Sequence, residues 1–202
     1  MKNFIAALLL AKNANALLSG TATSTRYWDC SGGACGCGFG DPDHPAHCHS
    51  NAMFEAPAGN ENGAKYYGSA AISNALGGDD WLGKGCGKCF KVTATSNIAS
   101  HTESTTVVLK GTNYCPPSND VCDGKAHFDI AAPGFDFGPA SISNTCDQVD
   151  KIAGLTSPQT CGFWMINSQN PDENCNCEIF PDQTLKDGCN NFRGLYWNNP
   201  TV

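Results

Sequence analysis

Two aspartates stand in settings that a solvated surface carboxylate does not need. Asp29 closes the stretch Thr25-Arg26-Tyr27-Trp28-Asp29-Cys30, behind two large aromatic rings and before a cysteine. Asp129 lies in His127-Phe128-Asp129-Ile130, among apolar neighbours. Apolar surroundings strip hydration from a carboxylate and raise its pKa, so that it can hold a proton near neutrality, as a general acid must. A carboxylate in a wetter cleft stays ionised and can take a proton from water. Two such groups on opposite faces of a sugar ring are the minimal machinery for glycosidic bond hydrolysis. Taken alone, each aspartate also fits a turn or ion-pair residue, and residues a hundred positions apart meet only if the fold brings them together.

Other catalytic engines find no support. The chain has no Gly-x-Ser-x-Gly elbow, no phosphate loop or Gly-x-Gly-x-x-Gly turn, and no His-Glu-x-x-His pair. His44, His47 and His49 beside Cys48 are crowded, but their spacing matches neither a helix face nor a zinc signature, so they read as a polar loop. Gly32–Gly40 is glycine-rich, yet it carries cysteines and no following lysine, which favours a disulfide-pinned turn over a phosphate cradle. No cofactor and no metal are expected.

The elements that must position the two aspartates are short. Cys89–Ser96 and Ser104–Thr112 alternate and are rich in β-branched residues, Ala126–Ala132 is a third such run, and Cys161–Asn167 is a fourth. Lys65–Leu76 reads as a short helix ended by Gly77-Gly78, and Cys30–Pro57 as loop. Many turns among 22 glycines and 11 prolines, with strands scattered between cysteine-rich loops, point to a small all-β barrel with few helices.

Residues 1–16 have the form of a secretory signal peptide: Lys2, a short apolar run, then Ala14-Asn15-Ala16. The expected organisation is therefore a leader over 1–16 and a single domain over 17–202, secreted to the extracellular space. Thirteen cysteines then read as a disulfide framework with one left over, in preference to zinc ligands in Cys35-x-Cys37, Cys86-x-x-Cys89 and Cys175-x-Cys177. The formal charge of −7 becomes −9 once Lys2 and Lys12 leave, which disfavours nucleic acid and anionic membranes as partners. A neutral polymer suits such a chain better, and a monomer is expected.

Several motifs, in the same order along the chain, resemble those of the family 45 glycoside hydrolases, secreted endo-β-1,4-glucanases. Ser24–Cys30 (STRYWDC) is similar to the opening signature of that family, Gly85–Thr95 to its cysteine-rich entry into a core strand, and His127–Gly134 (HFDIAAPG) to its acid block. Ser141–Cys146 and Cys177–Cys189 are similar to its later cysteine segments. The resemblance implies a six-stranded double-psi β-barrel with an open groove, β-1,4-glucan such as cellulose as substrate, and an inverting mechanism. Asp29 matches the general base and Asp129 the general acid. Tyr27 matches a position that stacks on the sugar beside the scissile bond. Trp28 is read as core, because alternation turns it away from Tyr27. His127 shares a strand face with Asp129 and is placed to tune it. Asp123, with Asp120 next, is the candidate for an acidic loop residue, and Asn113 and Tyr114 are candidates to line the groove. The resemblance pairs Cys30 with Cys146, Cys35 with Cys86, and Cys89 with Cys177. Local spacing pairs Cys115 with Cys122, while Cys37, Cys48, Cys161, Cys175 and Cys189 stay unassigned.

The match departs from the family where Ser31 follows Cys30 and Gly87 follows Cys86, since adjacent cysteines are usual there. Ala34–Gly38 and Thr112–Cys122 are more similar to divergent members and to expansins. A non-hydrolytic wall-loosening or barwin-like polysaccharide-binding protein is therefore the competing expectation; expansins resemble this chain at Asp129 but lack the Tyr-Trp-Asp motif.

Overall fold

The computed structural model describes residues 19–27, 33–35, 54, 63–78, 83–98, 101–132, 177–179 and 183–202. Their main feature is one five-stranded mixed sheet. Its strands are β1 (Thr23–Tyr27), β2 (Tyr66–Ile72), β3 (Cys89–Thr95), β4 (Ser104–Tyr114) and β5 (His127–Ala131), in the spatial order β1-β5-β2-β4-β3. β1 runs parallel to β5 and β2 parallel to β4, while β5–β2 and β3–β4 are antiparallel. The sheet forms a half-barrel with little helix, so the mainly β reading holds. Of the sequence-based strands, 89–96, 104–112 and 126–132 correspond to β3, β4 and β5; 161–167 lies outside the described residues.

Alternation sorts the strands into two faces. β3 reads exposed at Cys89, Lys91, Thr93 and Thr95 and buried at Val92 and Ala94. The inner face carries Ala70, Ile72, Val92, Val107, Leu109, Phe128 and Ile130. The helix α1 (Gln183–Arg193) and the following residues add Phe192, Leu195 and Trp197 to the same core. Edge-on ring contacts lock it, Phe90 to Phe128 and Phe54 to Phe192, both with centroids 5.1 Å apart. The outer edge of β1 is met by the end of the described chain: Ala22 and Val202 exchange backbone hydrogen bonds of 2.8 and 2.9 Å, and Ser24 Oγ donates to the Pro200 carbonyl at 2.7 Å.

The helix expected over Lys65–Leu76 is corrected. Tyr66–Ile72 is a central strand, flanked by β4 and β5, and only Asn74–Leu76 makes a single 3₁₀ turn. The small residues Gly68, Ser69, Ala70 and Ala71 carry no strong strand preference of their own, so the two neighbouring ladders decide the conformation. Gly68 has a packing reason as well: a Cβ there would come within 2.7 Å of the Phe54 ring. Gly77 does end the 3₁₀ turn, in the left-handed conformation at φ 80°. The helix α1 was not anticipated.

Candidate active site

The outer face of the sheet brings four of the candidate residues into one neighbourhood. In register, Thr25 of β1 pairs with Asp129 of β5, Asp129 with Ala71 of β2, and Ala71 with Asn113 of β4. Thr25, Asp129, Ala71 and Asn113 thus form a single row across four strands. With strands ~4.8 Å apart, Asp129 and Asn113 stand roughly 10 Å apart along it, separated only by the methyl group of Ala71. A β-bulge makes this possible. The register shifts between Ala70 and Ala71, which pair with Gly111 and Asn113, so Thr112 is skipped and Asn113 turns to the Asp129 face.

Asp129 is half-buried, and its Oδ1 accepts a 2.8 Å hydrogen bond from the Thr25 hydroxyl. The Thr25 oxygen also lies 2.8 Å from His127 Nε2, and the Thr23 hydroxyl lies 2.7 Å from His127 Nδ1. These contacts fix the tautomer. Thr25 has one proton and gives it to Asp129, so His127 Nε2 carries the N–H that points at Thr25. Nδ1 is then the acceptor for Thr23. The donors run in one direction, Thr23 to His127 to Thr25 to Asp129.

His127 is 1 % exposed, and burial, helped by the charge of Lys125, lowers its pKa from 6.5 to about 4. The neutral imidazole that the chain of donors requires is therefore the form present at neutral pH. Its backbone is held as well: the His127 N–H donates to Ser73 Oγ at 3.1 Å, Ser73 Oγ donates to the Lys125 carbonyl at 2.7 Å, and the Ser73 N–H donates to the His127 carbonyl. With both ring nitrogens engaged by threonines, His127 positions Thr25 rather than meeting a ligand itself.

Tyr27 leaves β1 on the same face, half-buried, and packs against Ala71 and the Cys115–Cys122 bridge. Its hydroxyl accepts from Asn113 Nδ2 at 3.4 Å. Asn113 Oδ1 accepts two 2.8 Å bonds, from the backbone N–H of Ala34 and of Tyr114. Asn113 therefore ties the end of β1 to the Gly33–Cys35 turn, which the Cys35–Cys86 bridge also anchors. The remaining groove candidates are set apart. Tyr114 pairs with Ile72, one position along from Asn113, and so is buried toward the opposite face. Asp123 and Asp120 are exposed in the loop before β5. Asp29, Trp28 and the His44–His49 group lie outside the described residues.

One disulfide expectation is corrected. Cys177 is bridged to Cys189, inside α1, and Cys89 is an exposed free thiol. The reason is placement: α1 carries Cys189 inward to 0 % exposure beside the buried Cys177, whereas Cys89 opens an edge strand on its outer face. The Cys30–Cys146 pairing lies outside the described residues. Sequence reasoning also passed over Thr23, Thr25 and Ser73. A signal for Thr25 was present, since it stands two residues before Tyr27 in the quoted motif, and a strand's alternation gives both the same face. Among the described residues no group of three or more His, Cys, Asp or Glu side chains could hold a metal ion.

Residues 22–167, which span β1 through β5 and the row just described, match the family of EXPB1-like domain 1. The chain belongs to the EXPB1-like domain 1 family. The chain is 34% identical over 137 residues to Endoglucanase-5 of Hypocrea jecorina, a match covering 58% of this chain and 51% of that protein. It is also 38% identical over 77 residues to Expansin-A17 of Oryza sativa subsp. japonica, covering 33% of this chain and 25% of the expansin. The chain thus spans about half the length of the endoglucanase and a quarter of the expansin. Among solved structures it is similar to the GH45 endoglucanase EG27II in complex with cellobiose, with 27% identity over 55% of this chain and 67% of that one, at a TM-score of 0.34. The endoglucanase Cel45A of the blue mussel Mytilus edulis is 22% identical over 85% of this chain and 91% of its own, at a TM-score of 0.32. This member of the EXPB1-like domain 1 family is thus similar, over part of their length, to an endoglucanase and to expansins.

Proposed function

We propose that this protein is a secreted endo-β-1,4-glucanase that cleaves internal bonds of cellulose or a related β-glucan with inversion. The observation that carries the reading is the half-buried Asp129 carboxylate, held from one side by the Thr23–His127–Thr25 donor chain. Residues 1–16 act as a leader, and residues 17–202 make one domain whose sheet closes as a six-stranded double-psi β-barrel. The disulfides suit an extracellular setting, and no helix among the described residues is long and apolar enough to cross a membrane.

In the reaction, Asp129 is the general acid. A carboxylic acid accepts best at its carbonyl oxygen, so with Thr25 donating to Oδ1 the transferable proton is favoured on Oδ2. That proton passes to the glycosidic oxygen as the bond breaks. Asp29 is the general base and removes a proton from water attacking the anomeric carbon from the opposite side. Inversion requires the two carboxyl groups to stand roughly 6.5–9.5 Å apart, leaving room for that water. Tyr27 stacks on the sugar next to the scissile bond. Asn113 holds Tyr27 and lines the same face, while Asp123, exposed in the loop before β5, contributes at the margin of the groove. The chain acts as a monomer, with no cofactor.

Reducing-end release from carboxymethyl cellulose tests this, with Asp129→Asn and Asp29→Asn as controls. Each substitution is expected to lower turnover by about 10²–10⁴-fold while the fold survives, as general acid–base catalysis of this size requires. Retained activity in either variant removes that residue from its role, and no release by the intact protein overturns the reading. A second reading, non-hydrolytic wall loosening, is favoured by the EXPB1-like family match and the expansin relatives. It is chosen if the protein weakens cellulosic paper without releasing sugar.

A further inference from the structure

The outer face continues past Asp129 over β2, β4 and β3, and its charge is one-sided. The only charged residues in those three strands are Lys91 and Lys110. Both are exposed, and neither has a hydrogen-bond or ion-pair partner among the described residues. Cys89 pairs with Lys110 and Lys91 with Val108, which makes the two lysines diagonal neighbours about 7–8 Å apart. Exposed Lys65 stands just before β2, its N–H bonded to the Thr106 carbonyl, and a Cβ on nearby Gly63 would lie 4.0 Å from the Lys91 ammonium. Three exposed lysines, with the Lys65 ammonium 5.2 Å from the Tyr66 ring centroid, thus gather on one face of a chain whose net charge is −7.

That face is continuous with the candidate active site. One row of the sheet runs Tyr27–Ala131–Ser69–Lys110–Cys89, next to the row that holds Asp129. From strand spacing and rise, Lys110 lies roughly 12 Å and Lys91 roughly 20 Å from Asp129, on one diagonal. Between them, Ser69 is 5 % exposed and its hydroxyl has no hydrogen-bond partner among the described residues. Beyond the lysines the surface is hydroxyl-rich, with Thr93 paired to Thr106 at 2.7 Å and Thr95 to Ser104 at 2.8 Å. No large apolar side chain in these strands is exposed, so a hydrophobic protein partner or a lipid surface finds little to bury.

We propose that Lys110 and Lys91, with Lys65 beside them, form an extension of the groove that binds the carboxylate groups of an acidic, uronate-bearing β-glycan. This rests on the reading that a β-glucan crosses the Asp129 face. Charge complementarity selects the ligand. The overall negative field repels a dense polyanion such as nucleic acid, whereas carboxylates spaced along a neutral sugar chain meet the lysines locally, within a screening length of about 10 Å.

Affinity electrophoresis in gels containing carboxymethyl cellulose or neutral hydroxyethyl cellulose tests it. Asp129→Asn is the background throughout, to prevent hydrolysis during the run. Retention on the carboxylated polymer is expected to exceed that on the neutral one by about fivefold, the scale of two exposed charge pairs. The preference is expected to vanish in Lys91→Gln/Lys110→Gln and at high salt, with neutral-polymer retention unchanged and the circular dichroism spectrum intact. Equal retention on both polymers overturns the proposal and leaves the glucanase reading standing. Preference that survives in the double variant overturns it too, as does tighter binding to anionic vesicles or an oligonucleotide. Retention on neither polymer overturns both readings together.

Discussion

At the scale of single residues, one threonine settles how the Asp129 carboxylate is wired. Thr25 has a single proton, and its donation to Asp129 forces His127 to carry its own proton on Nε2 and to accept at Nδ1. Protonating the ring would turn the Nδ1 acceptor into a donor facing Thr23 and would bury a charge near Lys125. The pH consequence follows from the signs. The folded-state pKa, about 4, lies below the unfolded value near 6.5, so between them the unfolded chain binds the proton that the folded chain refuses. The contribution of His127 to stability is complete above about pH 6.5 and is lost progressively as pH falls toward about 4. Thermal unfolding midpoints followed across that window should fall for the intact protein. In His127→Gln, which keeps a neutral donor and acceptor, that part of the decline should flatten; an unchanged pH slope would remove His127 from this role.

At the scale of elements, the site depends on strands that hold one another in register. β5 presents His127 and Asp129, β1 supplies Thr23, Thr25 and Tyr27 beside it in parallel, and the bulge opposite Ala70 and Ala71 brings Asn113 onto the same face. The entry to β5 is fixed by Ser73, fully buried at the end of β2, which bonds the backbone on both sides of Ala126. Ser73→Ala leaves the His127 N–H and the Lys125 carbonyl without that hydroxyl. Such orphaned groups cost about 1–3 kcal/mol, and urea unfolding should show a loss of that size. Because the same residue orients the start of β5, turnover should fall in parallel even where the variant is fully folded.

At the scale of the whole molecule, the inner face needs a cover, and α1 with the residues after it provides one through Phe192, Leu195 and Trp197. The Cys177–Cys189 bridge fastens that cover, with an ion pair of 3.6 Å between Lys186 and Glu178 beside it. A bridge closing a loop of this length restricts the unfolded chain by about 3 kcal/mol, and the joint replacement Cys177→Ala/Cys189→Ala should lower stability by that order in denaturant unfolding. Cys89 should behave in the opposite way. Being free and exposed, it should take up a thiol reagent in the native protein, and peptide mapping should find the label there and see it vanish in Cys89→Ser.

The sequence by itself determined that Asp129 sits in a strand and where three of the five strands run. Asp129 stands out as a carboxylate in an apolar, alternating run, and β3, β4 and β5 follow from β-branched periodicity, because those signals are local. The Cys115–Cys122 spacing is local in the same sense. Only the tertiary structure decided what depends on distant neighbours. Tyr66–Ile72 reads as helix until two flanking ladders make it the centre of a sheet. Cys177 finds its partner through α1, not through a motif. The donor chain from Thr23 to Asp129 exists only because β1 and β5, a hundred residues apart, lie parallel and in register. Local preference amounts to fractions of a kilocalorie per residue, and each of these features was decided by hydrogen-bond ladders and buried contacts that outweigh it.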